Sequence, residues 1–509
     1  MQEIELKFQI PAGALDAVRQ HLAALTGPSD GDIVLRAAYV DTPDRRLAAA
    51  HMALRVRQEG DAWVQTLKAG GSNTMMRLED NQPVPPPLPG HIATADLSRH
   101  LGGQAEEALR RTLDWQPQSD PIGEQTGLVV LYRTDITRTR VQFTVGQGTL
   151  FEGVVELALD LGQIHAGALS IDVRELEIES VSGHPMAVIT AGRDWVARHG
   201  LWLDTQTKAH RGDRLARQAA GQPVNKLTLG RPAKVKADTT LDKAWRAGLE
   251  SCLAQIADNM SELGTAPAIV TDAAYQWRLG LRRLRAFGRL WSGSGLPFPH
   301  AAMDLAAALD RQLGPLRDHS LMAKLAKRLE RIGASGLPLP APPGDLASDT
   351  ISLARSNQAT SLCLDLLAAL LTPPDSSQLA QAPLTPWLTQ SLQRWGKTCR
   401  QAARHALDLN EAELHQLRKR AKRLRLIAAM HAPLWADKGQ RRHERALKAA
   451  LDALGQIQDE TTALNYWLAH SAHSPQARLA CDWLSQRRKG LRKRADRALQ
   501  RWLKVSAPW

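Results

Sequence analysis

Cysteine is scarce. There are four in 509 residues, Cys252, Cys363, Cys399 and Cys481, and none has C-x-x-C spacing. That excludes a zinc knot and a disulfide framework, and makes a reducing, cytoplasmic setting the simplest expectation. Long apolar runs are also missing: no stretch approaches the roughly 18 uncharged residues of a membrane span. Glu3, Glu5 and Lys7 stand where a signal peptide would carry its apolar segment, so no membrane association is expected. Aromatic residues make up only 5%, too few to suggest a stacking platform for nucleic-acid bases, and no nucleic-acid-binding motif is present. Trp245, Trp277, Trp395, Trp483 and Trp502 fall in helical periods and are expected in the core. No pair among the sixteen histidines sits at convincing metal-ligand spacing.

Charge is plentiful and unevenly divided. The net charge is +13, yet residues 1–215 hold 21 basic and 28 acidic side chains, against 44 and 24 in the remainder. A mildly acidic front half joined to a strongly basic back half points to separate tasks, the second involving a polyanion. At this length more than one hydrophobic core is expected.

The front half alternates. In Glu3-Ile4-Glu5-Leu6-Lys7-Phe8, charged and apolar side chains follow the two-residue period of a strand. Glu3 and Glu5 lie about 7 Å apart on one strand face and could hold a hard cation such as Mg²⁺ through oxygen. The pattern recurs in Leu54-Arg55-Val56-Arg57, in the return strand Ala62–Ala69 with Lys68, at Arg77 and Glu79, and at Arg138 and Arg140. It recurs again in Val154–Asp160 and in Glu175-Leu176-Glu177-Ile178-Glu179. Helices are expected over Pro11–Leu25, between His91 and Thr112, and over Met186–His199. The charges sort by strand: acidic on the first and penultimate, basic on several between. A closed antiparallel barrel with a polar lumen would bring them together.

These residues resemble the CYTH superfamily, the triphosphate tunnel metalloenzymes. Glu3-x-Glu5-x-Lys7, Tyr39-x-Asp41-Thr42-Pro43-Asp44, Leu54–Arg57, Gln65–Lys68, Glu175–Glu179 and Lys208-Ala209-x-Arg211-Gly212 follow that family's order over residues 1–215. Thr207 stands where serine usually precedes the lysine, and the hydroxyl is kept. The resemblance implies an eight-stranded tunnel that hydrolyses a triphosphate with Mg²⁺ or Mn²⁺. Substrate contacts are then expected from Lys7, Arg55, Arg57, Lys68, Arg77, Arg138, Arg140 and Arg211, the arginines through paired N–H donors. Glu3, Glu5, Glu177 and Glu179 are the expected metal ligands, with the choice among Glu175, Glu177 and Glu179 open. Lys208 and Glu5 are the expected catalytic residues, and the resemblance assigns Lys208 to positioning water or the terminal phosphate.

From about Asp213 to Thr239 the sequence turns irregular, giving an expected linker over 216–239 and a second domain over 240–509. That half has helical periodicity, with proline-rich surface loops expected at Leu337–Pro343 and Leu371–Pro374. It also contains a duplication, giving repeats of about 240–375 and 380–509. Arg278–Arg285 recurs 140 residues later as Arg418–Arg425, and Leu313-Gly314-Pro315-Leu316-Arg317-Asp318 recurs as Leu454–Asp459. Arg278, Arg282 and Arg285 share one helix face at i, i+4, i+7; Arg418, Lys422 and Arg425 match them, with His415 one turn earlier. Like charges so placed cost a helix about 0.2–0.5 kcal/mol per pair and call for an anion.

His415-Gln416-Leu417-Arg418-x-x-x-Lys422-Arg423-Leu424-Arg425 resembles the CHAD domain, an α-helical module associated with polyphosphate binding. In the first repeat Tyr275 replaces the family's histidine. The expected fold is therefore α+β and multidomain: an N-terminal antiparallel eight-stranded β-barrel with flanking helices, then an all-α duplicated bundle. The expected function is inorganic triphosphate hydrolysis in the first part, with polyphosphate binding by Arg278, Arg282, Arg283, Arg285, His415, Arg418, Lys422, Arg423 and Arg425. The alternatives are an adenylyl cyclase, a nucleoside or thiamine triphosphatase, or a non-catalytic polyphosphate-binding scaffold.

Overall fold

The computed structural model describes residues 4–25, 31–73, 76–87, 94–223, 227–265, 270–294, 296, 298–340, 343–373, 377–435 and 438–509. These fall into two compact units, Met1–Lys226 and Leu227–Trp509. All four cysteines are buried and carry free thiols.

In the first unit the two-residue alternation becomes strands β1 (Glu5–Gln9), β2 (Asp32–Asp41), β3 (Met52–Glu59), β4 (Ala62–Asn73), β5 (Met76–Pro83), β6 (Val129–Val145), β7 (Gly153–Ala166), β8 (Leu169–Gly183) and β9 (Trp202–Leu203). Among the described residues, α-helices interleave with them: α1 (Leu15–Ala23), α2 (Arg46–Ala49), α3 (Gln104–Leu113), α4 (Met186–His199) and α5 (Lys208–Ala219). The strands form one sheet in the order β5-β4-β3-β2-β6-β7-β8-β1-β9, and every pairing is antiparallel. The expected eight-stranded closed barrel is thus eight long strands plus a two-residue ninth, and no ladder joins β5 to β9 among the described residues. β9 stops short because Thr207 caps α5 four residues later, its side chain accepting from the His210 N–H.

Register gives the sheet two unlike faces. Leu6, Phe8, Leu54, Val56, Leu67, Val155, Leu157, Leu159, Leu176 and Ile178 are buried on one. There α4 packs so closely that a Cβ at Gly192 would lie 3.0 Å from the Phe8 ring. Leu47 of α2 joins Leu109 and Leu113 of α3 and Trp115 over β3 and β4. On the opposite face α5 lays Leu215 and Ala216 against Tyr39, Tyr132, Ile136, Ile164 and Val173. That face is therefore apolar at one end, where α5 sits, and charged beyond it.

The second unit is helical: α6 (Leu241–Thr265), α7 (Val270–Trp291), α8 (His300–Gln312), α9 (Gly314–Leu329), α10 (Pro343–Ala354), α11 (Asn357–Leu371), α12 (Leu384–Arg404), α13 (Glu411–Met430), α14 (Lys438–His470) and α15 (Pro475–Leu503). The duplication is visible as α6–α9 echoed by α12–α14. Pro315 explains the extra break: it starts α9 just after α8 ends. The second copy has Gln456 there, and α14 runs on for 33 residues. Trp245, Trp277 and Trp502 are buried in the core, whereas Trp395 and Trp483 are half-buried.

Three sequence expectations need correction. The irregular stretch begins later than Asp213, since α5 continues to Ala219. Residues 227–239 are not a detached tether: Ala233 and Val235 are buried, and the Ala233 N–H donates to Met430 O at 2.7 Å. The loop at Leu337 is not merely superficial either. Leu337 is buried with Met322 and Trp467, and Pro338 O accepts from Trp467 Nε1 at 3.0 Å.

Candidate functional site

The ladders place the charged strand positions singled out in the sequence on one continuous face. Glu5, Lys7 and Gln9 of β1 lie opposite Glu179, Glu177 and Glu175 of β8. Glu175 lies opposite Asp160 of β7, and Asp160 opposite Arg138 of β6. Farther along, Tyr39 faces Arg55 and Ala37 faces Arg57, while Lys68 faces Glu79 and Gly70 faces Arg77. Acid strands and base strands are thereby neighbours across β6.

Their meeting point is Lys208, the first residue of α5. Its ammonium lies 2.6 Å from Asp160, 2.7 Å from Glu175 and 2.8 Å from Glu177. Burial alone would lower its pKa, but Glu175, Asp160 and Glu177 hold it well above the ordinary lysine value. Arg138 grips Asp160 through two bonds of 2.6 and 2.7 Å and also reaches Glu177. Burial disfavours an ionised Asp160, yet Lys208 and Arg138 bring its pKa below the ordinary range. Glu175 is likewise held low against burial, by Lys208, Lys7 and Arg211.

Lys7 and Arg211 belong to this acid cluster more than to open substrate space. Lys7 lies 3.4 Å from both Glu175 and Asp204 and donates to Gln206 O. Gln9 joins the same two carboxylates at 2.8 Å each. Arg211 is buried, bonding Glu175 and, at 2.7 Å, Asp172 O. Both side chains hold Glu175 in place. On the basic side, Arg55 Nη1 lies 3.4 Å from the Tyr39 hydroxyl, while its Nε is buried and makes no hydrogen bond among the described residues. Burial opposes ionisation of Tyr39, but Arg55, with Arg57 and Lys208 behind it, keeps its pKa below the ordinary value. Arg57 pairs with Glu59, Lys68 with Glu79 at 2.8 Å, and Arg140 approaches Glu156 at 3.8 Å.

Carboxylates gather in two places, and of these only the first brings three ligand oxygens within metal-binding reach among the described residues. Asp160, Glu175 and Glu177 offer oxygens all within 4.8 Å of one another, although Lys208 and Arg138 already neutralise them. The other is Glu5 with Glu177 and Glu179. Burial first, and then the Glu177 and Glu179 charges, push the Glu5 carboxyl up to about 7 in spite of Lys208. That surplus of negative charge is what a divalent cation would relieve. Glu3, the fourth expected ligand, lies outside the described residues. Sequence reasoning missed Asp160, Gln9 and Asp204. Asp160 carried a signal, being in phase with Glu156 on β7, but Ala158 between them breaks the acidic run.

In the second unit, Arg278, Arg282 and Arg285 of α7 converge on one carboxylate, Asp310 of α8, at 2.7, 3.0 and 3.1 Å. Arg283, expected with them, turns the other way because one helical step rotates it by about 100°. It is buried and donates to Gln255 Oε1 and Arg231 O at 2.7 Å each. On α13, which packs against α7, Arg425 meets Glu444 at 3.4 Å. His415 is depressed by burial and by Lys419. Arg423 is depressed by burial, then by Arg289 and Arg420. Lys422 is pushed down to about 7, first by burial and then by Arg282 and Arg418. Basic side chains of both repeats therefore crowd together. Arg317 ties the repeats across this region, donating to Asp318 at 3.1 Å and also to Asp459.

Comparison with known proteins agrees with this division. An inorganic triphosphatase from Haemophilus influenzae is 27% identical over 217 residues, covering 42% of this chain and 54% of that protein. The chain thus spans about half the length of the curated relative it matches. Among solved structures, the CHAD domain from the plant Ricinus communis is 21% identical with a TM-score of 0.46, covering 56% of this chain and 98% of that one. A Hippeastrum protein described as having a dominant triphosphatase activity is 19% identical with a TM-score of 0.27, over 44% and 97% of the two chains. Residues 1–212 match the CYTH domain and residues 247–466 the CHAD domain. The chain is a CYTH-family domain joined to a CHAD domain.

Proposed function

We propose that the CYTH domain hydrolyses inorganic triphosphate to diphosphate and phosphate, and that the CHAD domain binds polyphosphate. The observation that carries the first part is the single sheet face on which acids of β1, β7 and β8 meet bases of β3, β4 and β6 beside Lys208. A linear triphosphate bears four to five negative charges, which must be neutralised before water can approach phosphorus. Arg55, Arg57, Lys68, Arg138 and Arg140 supply that neutralisation by donating to phosphate oxygens, whereas the side chain of Arg77, also expected there, lies outside the described residues. Glu5, Glu177 and Glu179, with Glu3, are assigned to Mg²⁺ or Mn²⁺. When bound, the cation withdraws charge from the phosphate chain and lowers the pKa of a coordinated water.

Lys208 remains protonated under its carboxylates, so it acts as a donor and not as a base. Its ammonium orients the terminal phosphate or the attacking water, while Asp160 and Glu175 fix where it stands. Lys7 and Arg211 hold Glu175 in turn. No dedicated base or nucleoside pocket accompanies the charged face in the sequence, which favours the inorganic substrate over ATP or thiamine triphosphate.

Phosphate release with Mg²⁺ from tripolyphosphate, ATP, thiamine triphosphate and long-chain polyphosphate tests this. The expected order puts tripolyphosphate first, with E5Q reducing its rate at least about 100-fold. Faster turnover of ATP or thiamine triphosphate would make those the substrates. No release from any of them would leave a polyphosphate-binding scaffold.

A further inference from the structure

The two basic faces of the helical unit are not equivalent. In the first repeat three guanidinium groups already point at Asp310, which is nine-tenths buried on α8. Burial works against its ionisation, but Arg282, then Arg278 and Arg285, keep it charged. Among the described residues the second repeat has no carboxylate shared in this way. Counting 141 residues on from Asp310, the spacing that relates Leu313 to Leu454, leads to Leu451, a buried apolar residue. Its neighbour Asp452 turns outward and pairs with Lys448 at 2.8 Å. No hydrogen bond or ion pair ties Arg418 or Lys422 among the described residues, although Arg418 feels Asp459 at longer range. The histidine position differs as well: His415 is half-buried, whereas its counterpart Tyr275 is 62% exposed.

We propose that Asp310 is a built-in competitor of the polyanion: it occupies the donors of Arg278, Arg282 and Arg285, so that a phosphate chain is gripped chiefly by Arg418 and Lys422 of the second repeat. This rests on the polyphosphate reading of the helical unit. A phosphate oxygen approaching Arg278 must displace a carboxylate that three guanidinium groups share. One approaching Arg418 or Lys422 has no hydrogen-bonded carboxylate to displace among the described residues, only the longer-range charges of Asp459 and Asp310, and relieves repulsion between neighbouring cations. The two repeats thus divide the work. One face keeps the bundle stable without ligand, and the other answers to it. Chain contact with the first face becomes strong only once Asp310 is neutralised.

The test is long-chain polyphosphate binding by the full chain at fixed salt, comparing wild type with R278A, R418A, D310N and D310N/R278A. R418A should weaken binding about tenfold and R278A less than about threefold, while D310N should tighten it about tenfold. In the D310N background, R278A should now cost about tenfold, because the freed guanidinium has joined the ligand. Equal losses in R278A and R418A would overturn the proposal, and that comparison holds even if D310N does not fold. Unchanged or weaker binding by a folded D310N would overturn it too. Absence of binding by wild type would instead remove the polyphosphate reading itself, and the proposal with it.

Discussion

Lys208 and Lys422 are both withdrawn from water, and their surroundings drive them in opposite directions. Three carboxylates hold Lys208 above its ordinary pKa, whereas burial and the cations Arg282, Arg418 and Arg278 push Lys422 down to about 7, with Asp310 only partly opposing them. The first environment is rich in carboxylates and suits a cation; in the second the neighbouring cations outnumber the one carboxylate, Asp310. A pH dependence follows for the second. Below about pH 7 Lys422 is already charged in the free protein, so phosphate binding requires no proton uptake. Above it, the bound anion must draw a proton onto the amine, and affinity falls by up to about tenfold per pH unit until the bound-state pKa is passed. Titrating polyphosphate affinity from pH 6 to pH 9 should show this decline in wild type and lose it in K422A. A flat wild-type profile would contradict it.

At this scale the sequence was informative about which residues carry charge, and less so about where each points. The i, i+4, i+7 spacing selected Arg278, Arg282 and Arg285 correctly as one cluster. It could not indicate Asp310, which sits on another helix among Ala and Leu and bears no local mark of its three partners. Lys7 and Arg211 were legible as charged residues of the acid-and-base face, yet their turn toward Glu175 depends on Asp204 and Asp172 O, contacts made across the fold.

Among the elements, α5 governs the first site, since Lys208 opens it and its far turns cover the apolar end of the same sheet face. Gly212 makes the close approach possible: a Cβ there would lie 2.1 Å from Tyr132 Cδ2. Tyr132 cannot readily give way, being buried and stacked on Tyr39 with ring centroids 4.7 Å apart. Alanine at a mid-helix glycine would by propensity stabilise by about 1 kcal/mol. Here the overlap should outweigh that, and G212A is expected to destabilise the unit by about 1–3 kcal/mol and to lower hydrolysis by shifting Lys208. Denaturant unfolding followed in parallel with activity checks both. A more stable and fully active G212A would show that the ring yields. The strands were readable because their alternation is local. The continuation of α5 past Asp213 was not, since Leu215 is the one large apolar side chain in its charged turns.

Over the whole molecule, the division of charge noted in the sequence coincides with two compact units of different construction, an antiparallel sheet and a helical bundle. No helix among the described residues is long and apolar enough to cross a membrane. The central claim concerns the first half: distant acid and base strands do joint work at one lysine. Phosphate release from tripolyphosphate with Mg²⁺ by wild type and K208A measures it most directly. The account predicts robust release by wild type and a loss of about 10²–10³-fold in K208A, with the circular dichroism spectrum unchanged; a folded K208A that turns over tripolyphosphate at the wild-type rate would contradict it.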